Sequence, residues 1–294
     1  LDNASSATRV SYFTNPNALL LNRAIRGQYP PGSVFKIPSA IAALNARKLT
    51  EYSTFLCNGS YTLGNRVFRC SHTHGVQNFT QAIAHSCNVY FFHVGLLLGP
   101  KNMEENARLF GLGALTNIDL PYEEKGNVPR PDILMQRRWS KGDTLNLSIG
   151  QGDLLTTPIQ LLKMIAVVAR DGKDILPSVI KAIGNSPVRR EMAPRDVNIP
   201  KIYFDKVKSG MRDAVADEAG TAHVVAMSDT LVLGKTGTAQ ASGGKANHSW
   251  FVGFCPETKT KIVFCVFLEN GGSSYNACRM AAELLKEMKQ QEIL

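Results

Sequence analysis

A serine and a lysine stand three residues apart at Ser33 and Lys36, directly behind the Pro-Pro-Gly sequence at 30–32. An alanine-rich apolar run over 37–44 follows, and this pattern predicts a helix whose first turn begins at or beside Ser33. Side chains at i and i+3 share one helix face, so Lys36 can reach the Ser33 hydroxyl. A lysine in a dry site has a lowered pKa and can act as a base toward a serine nucleophile. The spacing is also common by chance, and alone it favours a capping serine followed by a solvated lysine.

Two further polar clusters carry groups suited to the same chemistry. Ser86 and Asn88 interrupt a helical pattern that extends from 79 to 98, so a hydroxyl and an amide can point into one cleft. An ordinary pair at a helix N-terminus is the alternative. The pattern from Leu231 to Gln240 predicts a strand, and the Lys-Thr-Gly-Thr segment at 235–238 places a cation, two hydroxyls and a glycine on this edge strand. It is not a nucleotide-phosphate loop, because Asp229 stands where that motif requires glycine.

Three of the six cysteines fall in or beside a loop-rich stretch that also contains two histidines. One interpretation is a Cys3His zinc site, a common closed tetrahedral set. Its candidate ligands are Cys57, Cys70, His74 and Cys87. His74 is favoured over His72 because Gly75 lets the loop fold tightly around a metal. The sequence alone leaves two alternatives open, a disulfide between Cys57 and Cys70 and three inert thiols.

The periodicity of the remaining chain indicates the elements that must position these groups. The predicted elements are a short strand at Thr8–Phe13, helices at 101–110, 159–170, 204–215 and 276–293, and strands at 249–256 and 261–269. The last two strands are joined by a polar turn and predict an antiparallel hairpin. The helix at 159–170 is strongly apolar, so we assign it to the core.

Composition limits the class of protein. The chain has 294 residues, 44% of them apolar and 19% charged, which suits one large or two small globular domains. The net charge of +9 is dispersed, and the chain has neither a recognition helix nor a zinc-finger pair, so we expect no nucleic-acid partner. No apolar run is long enough to span a membrane, and no signal peptide begins the chain. The chain starts at Leu1 without an initiator methionine, so we expect a piece of a longer protein whose anchor lies elsewhere.

The three polar clusters, in this order and with these separations, resemble the constellation of penicillin-recognising serine acyltransferases. The chain is similar to the transpeptidase domain of class B penicillin-binding proteins, most of all the elongation-type penicillin-binding protein 2 group. The resemblance extends from about Thr8 to the C-terminus. Besides the three clusters, it is carried by Leu21-Asn22-Arg23-Ala24, Tyr29-Pro30-Pro31-Gly32, Gly142-Asp143-Thr144, Ile149-Gly150-Gln151-Gly152, Thr157-Pro158-Ile159-Gln160, Ser249-Trp250-Phe251-Val252-Gly253 and Glu269-Asn270-Gly271-Gly272.

The resemblance implies an α/β (α+β) fold of the penicillin-binding transpeptidase and β-lactamase type, with an antiparallel sheet flanked by helices and a mainly helical subdomain. It implies one transpeptidase domain, with the helical subdomain and zinc loop at 37–150 and the sheet-and-helix subdomain at 1–36 and 151–294. The family sheet has five strands, two of which precede the serine helix. This chain has room only for a remnant of the second, around Thr8–Phe13. The usual Asp-x-x-Thr-Gly hairpin is absent or degenerate near Asp2–Ser6, and the family's membrane anchor and pedestal domain lie outside the chain.

The implied activity is D-Ala-D-Ala transpeptidation, in which an acyl-enzyme cross-links peptidoglycan stem peptides and β-lactams acylate the same serine. The implied catalytic residues are Ser33, Lys36, Ser86, Asn88 and Lys235, and the implied substrate-carboxylate residues are Thr236, Gly237 and Thr238. The resemblance implies that Gly237 serves by lacking a side chain that would block the carboxylate. Relatives often carry Cys or Asp, His-Gly and Ser-Cys-Asn in the stretch aligned with 57–88, so the resemblance favours a structural zinc ion at the Cys3His set. It also implies a glycosyltransferase partner in the elongation machinery and a location on the periplasmic face of the cytoplasmic membrane.

Two other functions share the three clusters. A serine β-lactamase needs a base that activates water for deacylation. No glutamate in a suitable loop is evident, although Phe35 beside Lys36 resembles the oxacillinase type. A non-catalytic sensor or scaffold would bind a β-lactam or a partner through the same fold. The intact segments at 150–152 and 235–238 favour an enzyme.

Overall fold

The computed structural model describes residues 5–16, 18–132, 138–188, 195–241, 243–258 and 261–294. Their α-helices are α1 Ser6–Phe13, α2 Arg23–Arg26, α3 Lys36–Asn45, α4 Phe79–Ala84, α5 Asn88–Leu98, α6 Pro100–Leu109, α7 Lys141–Ser148, α8 Pro158–Ala169, α9 Lys201–Ala216 and α10 Ser274–Gln290. Their strands are β1 Phe55–Cys57, β2 Ser60–Leu63, β3 Arg66–Arg69, β4 Gly75–Gln77, β5 Ala182–Ile183, β6 Ser186–Pro187, β7 Leu233–Ala239, β8 His248–Cys255 and β9 Ile262–Leu268. Short 3-10 helices occupy Gly32–Phe35 and His223–Val225.

The main sheet contains β7, β8 and β9 in that order, and both pairings are antiparallel. β8 is central and buried along its whole length, as its continuous apolar run predicts. Its alternate residues face two different clusters: Trp250 and Val252 join the core that includes α8, whereas Phe251 and Cys255 pack with α10. Helices therefore cover both faces, and the antiparallel sheet flanked by helices is confirmed.

The predicted strand at Thr8–Phe13 is wrong, because this segment lies in α1. Ser5 caps the helix by accepting the Thr8 N–H, and none of the helix residues is buried. A strand would need a neighbour to pair with, and none lies beside this segment among the described residues. Within the described part of the chain the main sheet therefore has three strands rather than five. The degenerate hairpin expected near Asp2–Ser6 falls mostly outside the described residues.

The other predicted elements are present, with shifts of a few residues at their ends. The helices predicted at 101–110, 159–170, 204–215 and 276–293 correspond to α6, α8, α9 and α10, and the predicted hairpin corresponds to β8 and β9. The helical pattern at 79–98 divides into α4 and α5 at the expected break. None of the helices formed by the described residues combines the length and the apolar character that crossing a membrane requires.

The stretch predicted to be loop-rich contains two small antiparallel ladders. β1 pairs with β4, and β2 pairs with β3. The first ladder places Cys57 directly opposite Gly75, next to His74. The Cys70 N–H donates to the Gly59 carbonyl at 2.9 Å and draws the end of the second ladder toward the first. These pairings fold the stretch back on itself and bring distant cysteines together.

Candidate active site

Ser33 lies in the 3-10 helix that leads directly into α3, one residue behind Gly32. Side chains at i and i+3 eclipse in a 3-10 helix, so Ser33 and Lys36 project on the same side. The Lys36 N–H donates to the Ser33 carbonyl and closes this turn. Trp250 anchors the preceding segment, since its Nε1–H donates to the Pro30 carbonyl at 3.1 Å. The predicted helix start at or beside Ser33 is confirmed.

Two glycines allow the backbone to approach the serine closely. Gly32 has a positive φ of 55°, and its N–H donates to the Gly150 carbonyl at 3.0 Å. A Cβ added to Gly150 would lie 2.1 Å from the Gly32 carbonyl oxygen, so no side chain fits there. This contact carries Gln151 to the cleft, where its Nε2 donates to the Thr238 carbonyl at 3.4 Å.

Ser86 ends α4 in a left-handed conformation with a φ of 55°. Its N–H donates to the Ile83 carbonyl at 3.2 Å and the Cys87 N–H donates to the Ala82 carbonyl at 3.0 Å, the two bonds of a Schellman motif. Glycine is usual at this position, so serine costs on the order of 1 kcal/mol of backbone strain. Asn88 then opens α5. The strained backbone at Ser86 lets the Ser86 hydroxyl and the Asn88 amide face the same position in the site.

The Lys36 amine occupies the position that Ser86 and Asn88 both face. Its Nζ donates to the Ser86 carbonyl at 2.7 Å, to Ser86 Oγ at 3.2 Å and to Asn88 Oδ1 at 2.7 Å. The side chain is fully buried, and burial lowers the pKa of Lys36 to about 8. The charges of Cys70 and Cys87 oppose that shift. A usable neutral fraction near neutral pH suits a general base.

The Lys-Thr-Gly-Thr segment lies inside β7, at the edge of the three-stranded sheet, as predicted. Lys235 is fully buried, and its Nζ donates to the Thr236 carbonyl at 3.2 Å. Burial, and after it the charge of Lys36, lowers the pKa of Lys235 well below its ordinary value. Lys235 is not among the residues that line the cleft, whereas Thr236 and Thr238 are. Because side chains alternate along a strand, the Lys235 side chain lies on the opposite face of β7 from Thr236 and Thr238.

The role expected for Gly237, keeping the carboxylate pocket clear of a side chain, is wrong in this geometry. A Cβ at this position would lie 2.9 Å from Val34 Cγ2, 3.0 Å from the Pro31 carbonyl oxygen and 3.1 Å from Trp250 Cβ. Gly237 does not line the cleft. The glycine instead lets β7 pack directly on the 3-10 helix that carries the serine.

The three clusters meet at one cleft of about 440 Å³. Its lining residues are Ser33, Ser71, His72, Ser86, Asn88, Ile149, Gln151, Thr221, Thr236, Thr238, Ser273, Ser274 and Tyr275. We call the side formed by Ser86 and Asn88 the loop wall and the side formed by Thr236 and Thr238 the strand wall. Of the predicted site residues, Ser33 and both walls face the cleft, and Lys36 lies beneath the loop wall.

The predicted zinc ligands form one cluster next to the loop wall. The ligand atoms of Cys57, Cys70, His74 and Cys87 all lie within 4.8 Å of one another. His74 is part of this cluster, because its Nδ1 lies 3.5 Å from both the Cys57 and the Cys70 sulfur. The Asn88 N–H donates to Cys70 Sγ at 3.1 Å, which ties the cluster to the loop wall. All six cysteines are free thiols, so the alternative disulfide is not formed.

Several cleft residues are absent from the sequence prediction. Thr221 follows α9, and Ser273, Ser274 and Tyr275 begin α10. Ser71 and His72 lie in the cysteine-rich stretch, and here the only sequence signal was proximity to candidate ligands. The Gly271-Gly272 pair before α10 was a signal for the second group, since glycines often permit a tight approach. For Thr221 the sequence offered no signal, because its role depends on contacts across the fold.

The penicillin binding protein transpeptidase domain family matches this chain over residues 3–290. The chain is 34% identical over 288 residues to the peptidoglycan D,D-transpeptidase MrdA of Acinetobacter baumannii, covering 89% of this chain and 42% of that protein. Against MrdA of Escherichia coli K12 the identity is 30% over 299 residues, covering 93% and 47%. The chain thus spans about half the length of these relatives.

Solved structures agree with this relationship. The penicillin-binding protein (PBP2) from Helicobacter pylori in complex with MreC matches 99% of this chain and 55% of its own, with 28% identity and a TM-score of 0.89. Pseudomonas aeruginosa PBP2 in complex with WCK 5153 matches 97% and 66%, with 31% identity and a TM-score of 0.87. Sequence profile, identity and shared fold lead to one conclusion: the chain belongs to the penicillin binding protein transpeptidase domain family.

Proposed function

We propose that this domain is a serine D,D-transpeptidase that cross-links peptidoglycan stem peptides through an acyl-enzyme on Ser33. One observation carries the proposal: the buried Lys36 amine lies between Ser86 and Asn88 beneath a cleft that Ser33 lines. A nucleophile, a base with a lowered pKa and a second hydroxyl for proton transfer are the parts that acyl transfer requires.

In the first step Ser33 Oγ attacks the carbonyl carbon between the last two D-alanines. Lys36 Nζ takes the hydroxyl proton, and Asn88 holds that amine in place. When the amide bond breaks, the leaving D-alanine amine receives a proton through Ser86. An ester on Ser33 remains, and the amine of a neighbouring strand attacks it, forming the cross-link and returning the serine hydroxyl.

The strand wall and the start of the serine helix bind the two negative charges of this reaction, the terminal carboxylate and the developing oxyanion. Thr236 and Thr238 donate to the terminal carboxylate of the stem peptide, and the buried Lys235 supports them from behind β7. The N–H groups of Ser33 and Thr238 receive the developing oxyanion, a contribution of about 3 kcal/mol for each donor in comparable sites. A β-lactam that mimics D-Ala-D-Ala acylates Ser33 and blocks the cleft.

The rival β-lactamase function requires a base that activates water after acylation. Among the residues that line the described cleft there is no aspartate or glutamate, which favours a long-lived acyl-enzyme. Nitrocefin kinetics separate the two functions: a burst followed by silence supports the transpeptidase, and steady turnover supports a lactamase. A sensor would be acylated by labelled penicillin and yet transfer no acyl group to a D-amino acid acceptor.

The decisive test is mass spectrometry of the intact chain after treatment with benzylpenicillin. The wild type should gain one penicillin mass, and Ser33→Ala should gain none. Ser39→Ala is the matched control, since Ser39 is a buried serine on the adjoining α3 that lies outside the cleft. An adduct that persists in Ser33→Ala, or no adduct in the wild type, would overturn the assignment.

We further propose that Cys57, Cys70, His74 and Cys87 hold a structural zinc ion. A tetrahedral zinc with bonds of about 2.3 Å to sulfur and about 2.05 Å to nitrogen separates those ligand atoms by about 3.5 Å. The sulfur–nitrogen distances of His74 to Cys57 and Cys70 are both 3.5 Å, so the residues fit the group. When bound, the ion would link two ladders to the loop wall and supply no reaction step.

Metal analysis tests this site directly. Purified wild type should contain about one zinc per chain, and Cys87→Ser should contain much less. Cys278→Ser is the matched control, because Cys278 is also buried but lies in α10, away from the cluster. Zinc-free wild type, or equal zinc in wild type and Cys87→Ser, would contradict the proposal.

We also propose that the whole protein acts on the periplasmic face of the cytoplasmic membrane with a glycosyltransferase partner. The similarity to a PBP2 solved in complex with MreC, and to a chain of a peptidoglycan synthase complex, supports partners of this kind. Cross-linking in cells, followed by identification of the captured protein, tests it. Capture of no membrane glycosyltransferase would argue against that partnership.

A further inference from the structure

Thr221 forms hydrogen bonds both to Thr236 of the strand wall and to Ala84, which lies just before the loop wall. It follows α9 by a tight turn in which the Gly220 N–H donates to the Asp217 carbonyl at 2.9 Å. A Cβ on Gly220 would lie 2.5 Å from the Ala214 carbonyl oxygen, so this glycine lets the turn fold back on the helix end. The turn presents Thr221 to the cleft beside Thr236.

The Thr221 hydroxyl connects two elements that belong to different motifs. Its Oγ1–H donates to the Ala84 carbonyl at 3.1 Å, on the last residue of α4, two residues before Ser86. In turn it accepts the hydroxyl hydrogen of Thr236 at 3.0 Å. The Ala84 carbonyl also accepts the Thr221 N–H at 3.3 Å. That carbonyl therefore keeps a donor even when the Thr221 hydroxyl turns away.

This arrangement permits a second hydrogen-bond order without moving any heavy atom. In the order described above, the Thr236 hydroxyl donates to Thr221 and has no hydrogen left for a ligand, because a hydroxyl donates only one. In the alternative, Thr221 donates to Thr236, and Thr236 donates into the cleft. Hydroxyl rotation alone exchanges the two orders.

We propose that Thr221 is a positioning residue for the carboxylate of the substrate, acting through Thr236. This rests on the proposed function, since it concerns the carboxylate-bearing end of a D-Ala-D-Ala peptide or a β-lactam. When the anion arrives, Thr221 donates to Thr236 and Thr236 donates to the anion. Consecutive hydroxyl donors polarise one another, so the linked hydroxyls of Thr221 and Thr236 bind a carboxylate more strongly than Thr236 would alone.

This pair of linked hydroxyls also explains why Thr221, which lies outside every motif, faces the cleft. An anion selects the order in which both hydroxyls point toward it, whereas a neutral ligand does not. Thr221 should therefore affect recognition of the carboxylate and leave the acylation step on Ser33 unchanged. A residue that merely stapled β7 to α4 would affect charged and neutral ligands alike.

The test measures pre-covalent dissociation constants and acylation rate constants for benzylpenicillin and for its methyl ester. Thr221→Val keeps the shape of the side chain and removes the hydroxyl. We expect it to weaken benzylpenicillin binding about fivefold to tenfold, to change the acylation rate constant less than about twofold, and to leave ester binding unaltered. Thr221→Ser, which retains the hydroxyl, should restore binding, and Thr50→Val is the control for an exposed threonine remote from the cleft.

A double-mutant cycle with Thr236→Val sharpens the result. If Thr221 acts through Thr236, adding Thr221→Val to Thr236→Val should cost almost nothing further. Equal losses for benzylpenicillin and its ester would show a structural role and overturn the inference, as would unchanged binding of both. Should Thr221→Val not fold, as judged by thermal melting, Thr221→Ala makes the same comparison.

The same binding constants measured by calorimetry in the Ser33→Ala background separate this inference from the proposed function. Absence of acylation in the wild type would remove the transpeptidase assignment. Carboxylate-selective binding that depends on Thr221 would survive that outcome. If Ser33→Ala binds benzylpenicillin and its methyl ester equally well, the inference is overturned, even when Ser33 of the wild type is acylated.

Discussion

The two walls of the cleft are built in different ways. The strand wall is part of a regular sheet: β7 is paired along its length with the fully buried β8, and Gly237 packs against the serine helix. The loop wall is a strained Schellman turn between two helices, held by Lys36 and by the cysteine cluster. Regular backbone pairing positions one wall, whereas a few side chains position the other. The loop wall should therefore be the more sensitive to single side-chain changes.

The largest effect should come from Lys36, which supports the loop wall and is the proposed base. Lys36→Met keeps the apolar stem but removes the amine, so the rate constant for acylation by benzylpenicillin should fall about 1,000-fold. Lys163→Met is the matched control, since Lys163 is also buried but pairs with Asp174 at 3.3 Å, away from the cleft. A loss below about tenfold in stopped-flow acylation assays would mean that another group is the base.

The pH dependence of the acylation rate constant should follow the loop wall. Burial lowers the pKa of Lys36 to about 8, and only the neutral amine accepts a proton. Acylation should therefore rise as pH increases, by about 50-fold between pH 6 and pH 8, and level off above pH 8. The hydroxyls of the strand wall do not titrate, so the pre-covalent dissociation constant should change with pH only through the buried Lys235, whose pKa is also lowered. A rate that climbs steadily to pH 10 would indicate a lysine with its ordinary pKa.

Removing the proposed metal should weaken the loop wall and spare the strand wall. A ligand present at 100 times its dissociation constant stabilises a fold by about 2.7 kcal/mol. Chelation should therefore lower the melting temperature by about 5–10 °C. Because the Asn88 N–H donates to Cys70 Sγ, acylation should slow by about tenfold as well. Unchanged melting and acylation in the chelated chain, with its zinc content measured, would show that this wall needs no ion.

The smallest effect on acylation should come from a change behind the strand wall. Ser249 is buried in β8, and its Oγ donates to the Ser273 carbonyl at 2.8 Å and accepts the Ala277 N–H at 3.2 Å. Ser249→Ala leaves both groups without this partner and should cost about 1–3 kcal/mol of stability in urea unfolding. Acylation should change less than about threefold, since the paired strands keep Thr236 and Thr238 in place. A loss of activity larger than that of chelation would reverse the proposed ranking of the walls.

Most helices and the hairpin could be predicted because their patterns are local. The apolar runs of α8, β8 and β9 need no distant information. The segment Thr8–Phe13 failed because its alternation suits a strand only when a neighbour is available, and Ser5 instead caps a helix. The role of Gly237 failed for a related reason, since the direction in which its absent Cβ would point depends on how β7 packs.

By itself the sequence determined which groups are available for chemistry. The sequence alone shows the spacing of Ser33 and Lys36, the pair Ser86 and Asn88, and the cysteines with His74, because residue type and local period decide them. Only the tertiary structure decided which of these side chains are in contact with one another and which line the cleft. It buried Lys235 behind its own strand, brought ligand atoms from residues 57–87 within 4.8 Å, and placed Thr221 against Thr236. Those contacts join residues far apart in the chain, and such contacts follow from packing rather than from any local pattern.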